Sequence, residues 1–290
     1  MKVYDAGTIR NVAIVGHSGC GKTQLISAML FAAGAVNRLG TVDDGTTTTD
    51  FDDEAIARRH SLSSSLAHAE WLKTKINLID TPGFANFLTD ARAALRVAEA
   101  AVVVVDSVHG VEVQTEKLWA DAAAASLPRI VVLARLDRER ASLERSLDTL
   151  QRDCAREIIP IQLPIGEERG FRGVVDLVRM RAFTFADRAT GAMVEGDVPA
   201  SLVQAADEAR TKLVEMVAEA DEALMEAFFA EGTLTQEQLE TGLRNATRAA
   251  KIFPLVCSSG LQVVGIQPLL DALVRYVPSP LDRPFTASGR

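Results

Sequence analysis

The sequence predicts an α/β protein: a mostly parallel sheet flanked by helices, with an α+β subdomain inserted near its end. Three observations predict it. Short β-branched runs alternate with longer amphipathic or Ala-rich stretches in the first half, a Gly-rich loop follows the first run, and the rhythm changes after Pro160 before resuming near Phe253.

In chain order, the strand at Val12 to Val15 leads to a helix over 22–33, and Ile76 to Asp80 leads to one over 86–98. Val102 to Asp106 precedes a helix over 111–125, and Ile130 to Leu133 precedes one over 141–154. The VVVV run at 102–105 has no polar alternation, which places it in mid-sheet with both faces covered. Beyond Pro160, PIQLPIGEERGFRGVVDLVRMRAFTF reads as short strands joined by Gly turns, followed by a long helical stretch over 199–230. Thr235 with Gln238 spells a capping box for a helix reaching about Ala250. Phe253 to Cys257 then returns as a strand, with a last helix over 265–276. The implied division is a core of 1–158 and 251–280, an insertion of 159–250, and a Pro-rich linker at 281–290.

At 290 residues, 48% hydrophobic and 24% charged, the chain has a globular composition, which excludes a disordered or collagenous protein. Its 31 Lys and Arg against 39 Asp and Glu leave a net charge of −8, contrary to the basic footprint of a free nucleic-acid binder. No apolar run is long enough for a signal peptide or a membrane span. Cys20, Cys154 and Cys257 have no paired spacing, so a reducing, cytoplasmic setting is expected and no disulfide framework.

After the first strand, GHSGCGKT at 16–23 fills the pattern G-x-x-x-x-G-K-[ST] in its required strand-loop-helix setting. His17, Ser18, Gly19, Cys20, Gly21, Lys22, Thr23 and Gln24 would wrap a polyphosphate with inward-facing amides and the positive end of a helix. Lys22 would bridge the β and γ phosphates, and the Thr23 hydroxyl would bind Mg²⁺. LIDTPG at 78–83 puts Asp80 at a strand end, where it reaches the Mg²⁺ shell through water, and sets the Gly83 amide toward the γ-phosphate. Alone, DTPG reads equally as a tight turn with Pro second; with the loop upstream, each motif supports the other.

These motifs, together with INLIDTPGFANF, DSVHGVEVQTEKLW, LDRERA, IQLPIGEERGFRGVVDLV, ALMEAFF, KIFPLVCSSG and GIQPLLDALVRYVPSP in order, resemble the GTPase domain of translation elongation factor G with its inserted subdomain. The resemblance implies a phosphate-loop GTPase fold and a monomer that takes GTP or GDP with Mg²⁺. It also implies work on the ribosome and further domains after this one.

Relatives usually carry a His after DTPG to position the attacking water; here it is Phe84, whose ring neither donates nor accepts a hydrogen bond. Gly19 stands where the family has an Asp implied to steady a cation. Against the family's R-G-I-T-I-T-S, RRHSLSSS at 58–65 puts Ser61 on the Mg²⁺-binding Thr, with Ser63 the alternative and a plain edge strand an equal reading. The acidic, Thr-rich stretch of 43–54 ahead of it is expected to be mobile unless the γ-phosphate orders it. The base-reading N-K-x-D appears as Ala134, Arg135, Leu136 and Asp137. Asp137 keeps the carboxylate that accepts from guanine, and Arg135 offers a flat guanidinium to stack on the base, although Asp137 beside Arg138 and Glu139 also reads as a helix start. CSSG at 257–260 resembles the family's G-S-A turn and places the Ser259 and Gly260 backbone at the guanine oxygen. His17 reads more readily as a local hydrogen-bonding residue than as a catalyst, and Cys20 and Cys257 as packing residues. Three functions stay open: a ribosome-stimulated GTPase with slow intrinsic turnover, a GTP-dependent binding module with little hydrolysis, and a phosphate-loop ATPase, which Asp137 disfavours.

Overall fold

The computed structural model describes residues 3–186 and 191–283. The linker expected at 281–290 therefore lies mostly outside the described residues. Seven strands form the main sheet in the order β2-β3-β1-β4-β5-β11-β6: β1 (Ile9–Val15), β2 (Ser65–Trp71), β3 (Thr74–Asp80), β4 (Ala100–Asp106), β5 (Arg129–Ala134), β6 (Ile158–Pro160) and β11 (Phe253–Cys257). All neighbours pair in parallel except β2, which runs antiparallel to β3 at the edge. Every residue of β4 is buried. Val102 and Val104 join one core cluster and Val103 and Val105 the other, as the two-residue strand period requires when both faces are covered.

On the first face lie α1 (Lys22–Ala32) and α9 (Ile266–Tyr276); on the second lie α3 (Leu88–Val97), α4 (Val113–Ala124) and α5 (Leu143–Asp153). A second, antiparallel sheet in the order β10-β9-β8-β7 is made by β7 (Gln162–Ile165), β8 (Gly173–Asp176), β9 (Arg181–Phe185) and β10 (Met193–Gly196). It is followed by α6 (Val203–Glu219), α7 (Glu222–Glu231) and α8 (Gln236–Arg248), which rejoin the first core through Leu213, Val217, Leu239 and Leu243.

One reading of the sequence is corrected here. The helical stretch over 199–230 is two helices, because the Asp221 carboxylate accepts from the amides of Ala223 and Leu224 and starts α7 afresh. The acidic, Thr-rich segment leads into α2 (Asp53–Arg58), capped by Asp52, and buries Thr47, Thr49 and Asp50. At α8 both arms of the capping box are made, with Thr235 Oγ1 accepting from the Gln238 amide and Gln238 Oε1 from the Thr235 amide.

Candidate nucleotide-binding site

The site forms where β1, β3, β5 and β11 end, on the side of the sheet where parallel strands open toward ligands. After Val15 the chain must turn over β4, and a Cβ at Gly16 would strike the carbonyl of Val104; the glycine lets the loop pass. Gly21 then starts α1 in the left-handed region, so the helix N-terminus faces the cleft. Lys22, only 6% exposed, runs back under the loop and donates to the carbonyls of Gly16 (3.1 Å) and His17 (2.8 Å). Gly83 packs directly on this loop, since a Cβ there would overlap Lys22 Nζ and the Ser18 amide. The DTPG segment therefore meets the phosphate loop as the sequence implies.

Ser18, Gly19, Gly21, Lys22, Thr23, Gln24, Ser61, Gly83, Phe84, Arg135, Asp137, Ser259 and Gly260 line one cleft. Cys20 and His17 do not. Cys20 is buried beneath the loop, which pushes its thiol pKa up, and acts as packing. His17 turns to the start of α4, where Nδ1 faces the Gln114 amide at 3.4 Å and Nε2 lies 3.5 Å from Glu112. Gln24 lines the cleft, yet its side chain holds the following loop by donating to the Gly40 carbonyl and accepting from the Val42 amide.

Three hydroxyls and two carboxylates gather below the phosphate loop. Thr23 and Ser61 stand 3.1 Å apart through their oxygens, so Ser61 rather than Ser63 reaches Thr23; it sits before β2, outside the edge strand. Thr49 donates to Asp80 Oδ2 at 2.6 Å. Asp80 Oδ1 is buried with no partner among the described residues, and burial raises the Asp80 pKa to about 6 against help from Thr49 and Lys22. Asp50, also raised by burial, has one oxygen in the same condition. Hydroxyls beside a buried, under-satisfied carboxylate suit a hard cation that keeps several waters and binds through phosphate, as Mg²⁺ does. No group of three or more His, Cys, Asp and Glu side chains stands together as a metal cage among the described residues. Asp50 and Thr49 carry no sequence signal for this place, because the partner of Thr49 is Asp80, thirty-one residues away.

At the base-reading end, Asp137 Oδ1 is buried and unpartnered among the described residues. The Leu136 amide donates to the Ser258 carbonyl at 3.3 Å, which ties this loop to the CSSG turn. Arg135 lines the cleft, and its Nη1 donates to Asp106 Oδ2 at 2.8 Å. The Ser259 amide is spent on the Val264 carbonyl at 2.9 Å, while no bond from the Gly260 amide is found among the described residues.

Burial alone would raise the Asp106 pKa, but hydrogen bonds from Arg135 and the Val108 amide outweigh it and hold the carboxyl below its ordinary range. Arg135→Ala is expected to cost about 2 kcal/mol at neutral pH, because it strands a buried carboxylate. A folded-state pKa below the unfolded one stabilises above the unfolded value, and that stability is lost as the pH falls through the folded one. The gap between variant and wild type in urea melts should therefore close on acidification. Equal stability at neutral pH would show that the pair contributes nothing.

A family model described as the elongation factor Tu GTP binding domain matches residues 7–279. The chain belongs to this family. A crystal structure of a protein from Thermus thermophilus is 35% identical and superposes with a TM-score of 0.88. The match covers 96% of this chain and 41% of that one, so this GTP-binding domain spans less than half the length of that neighbour. The family match places the domain among translational GTPase domains, in accord with the elongation factor G resemblance of its motifs. Among the described residues no helix is long and apolar enough to cross a membrane.

Proposed function

We propose that this domain binds GTP and GDP with Mg²⁺, hydrolyses GTP slowly by itself, and serves as the nucleotide-driven part of a longer cytoplasmic protein that works on the ribosome. Asp137 carries the reading: a buried carboxylate oxygen without a partner among the described residues, in the same cleft as Lys22 and Gly260, suits the two donors on one edge of guanine. Adenine offers no such pair, which sets aside the phosphate-loop ATPase.

In this reading the loop amides and Lys22 hold the phosphates, Thr23, Ser61 and Asp80 hold the metal shell, and the Gly83 amide meets the γ-phosphate. When bound, Mg²⁺ neutralises charge developing on the β and γ oxygens. Asp80, raised to about 6 by burial, would be drawn fully to its charged form by such a cation. The same proposal divides the chain into a core of 1–158 and 251–280 and an insertion of 159–250, supported by the separate antiparallel sheet and α6 to α8; β6 carries the main sheet two residues past that boundary.

The second reading, a GTP-dependent binding module with little hydrolysis, is favoured by Phe84, which is 43% exposed and brings no polar atom to the cleft. The first test is competition for a bound fluorescent GDP. GTP with Mg²⁺ should displace it at micromolar concentration and ATP should not, whereas equal displacement by ATP would remove the guanine assignment. Hydrolysis measured with and without ribosomes on the full-length protein separates the two readings.

A further inference from the structure

The substitution that puts Phe84 after DTPG is faced by a histidine from elsewhere in the chain. His60, just past α2, lies with its ring centroid 4.5 Å from that of Phe84 at an interplanar angle of 57°, and both rings line the cleft with Lys22, Ser61 and Gly83. Its backbone is tethered. The His60 amide donates to the Ala55 carbonyl of α2 at 3.2 Å, and the next residue, Ser61, packs its hydroxyl against Thr23. On the ring, Nδ1 lies 3.4 Å from the Ser61 carbonyl, a long contact, while no bond from Nε2 is found among the described residues. Asp50, on the segment before α2, feels the charge of His60, which works against the rise that burial imposes on its carboxyl. The imidazole is thus braced by an apolar ring on one side and anchored backbone on the other.

We propose that His60 is the group that orients the attacking water in this domain, taking over from across the cleft the task that Phe84 cannot perform. The inference rests on the GTP-binding reading above. A neutral imidazole has one nitrogen that donates and one that accepts, which is what aiming a lone pair of water at the γ-phosphorus requires. Water attacks the γ-phosphorus as the bond to the β–γ bridging oxygen breaks; GDP leaves with that oxygen's electrons, and the proton of the water ends on inorganic phosphate. His60 holds the water and need gain or lose no proton overall. Phe84 acts as the apolar wall that keeps the ring in place, with loop closure around the nucleotide supplying the final approach.

The test is a single-turnover assay with enzyme in excess, run on wild type, His60→Ala, His60→Gln and His60→Ala with Phe84→His, alongside titration with GDP and with GDP plus aluminium fluoride. A glutamine also donates and accepts, and it positions water in other GTPases. His60→Ala should lower the rate constant by about tenfold or more and weaken the fluoride complex by a similar factor, with GDP affinity within about twofold. His60→Gln should retain most of both. Phe84→His in the alanine background should restore the rate, since a ring at position 84 lines the same cleft beside the space that His60 vacates. Turnover and fluoride binding by His60→Ala equal to wild type would overturn the proposal. So would equal losses of GDP affinity and turnover in the alanine and glutamine variants, which would make His60 a packing residue. Wild type that binds GTP yet neither turns it over nor takes up the fluoride complex overturns it as well. Wild type that binds no guanine nucleotide instead overturns the function on which it rests.

Discussion

Lys22→Ala should lower affinity for GTP by roughly 100- to 1000-fold, about 3 to 4 kcal/mol, the worth of two charge-assisted hydrogen bonds to phosphate. The side chain is 6% exposed and held under the loop by the carbonyls of Gly16 and His17. On binding, the ammonium needs only to redirect its donors from neutral carbonyls to anionic oxygens, so little conformational entropy is lost and most of the interaction appears as affinity. The loss should be larger for GTP than for GDP, because the ammonium touches both terminal phosphates only in the triphosphate. Calorimetry with both nucleotides reads the difference directly. Affinity for GTP within about threefold of wild type would remove Lys22, and with it the phosphate-loop reading, from the mechanism.

Asp137→Asn should turn the domain from guanine toward xanthine. The carboxylate accepts from the ring N–H and the exocyclic amine of guanine; an amide presents a donor to the latter and meets xanthine's oxygen instead. A site built around specific hydrogen bonds rejects the wrong partner strongly, so GDP affinity should fall roughly 100-fold or more while XDP gains. The same change should leave the nucleotide-free protein as stable as before. Asp137 Oδ1 is buried without a partner among the described residues, and a neutral amide costs no more to bury than a carboxylate. Unaltered preference for GDP over XDP in the variant would place base recognition elsewhere.

How much could be read beforehand followed from how local each feature is. The phosphate loop was legible in full, because Gly, Lys and Thr at fixed spacing between a strand and a helix leave one geometry for the backbone. The buried strands were legible too, since Val102 to Val105 fill both faces of a sheet. The contacts of the Thr-rich segment were not legible because they are distant in sequence: Thr49 donates to Asp80, thirty-one residues away. The ion pair of Arg135 was hidden for the same reason, as its partner Asp106 belongs to another strand. His60 gave no sequence signal at all, since nothing in RRHS says that its ring will face Phe84.

The base-reading loop is stitched on both sides. Ser107 donates to the Ala134 carbonyl at 3.0 Å from the β4 side, and Leu136 and Leu133 exchange bonds with Ser258 at the end of β11. Amides in such a seam cannot reach solvent by local fraying; they exchange only when the centre of the sheet opens. Deuterium should therefore enter Ser107, Leu136 and Ser258 about as slowly as β4 itself, with or without nucleotide. The residues around Asp50 and His60 sit on a short helix and loop at the sheet margin and should label early, then slow sharply when GTP binds. The pocket for the base is, on this footing, a permanent part of the framework, and the nucleotide's arrival is timed by the phosphate end alone.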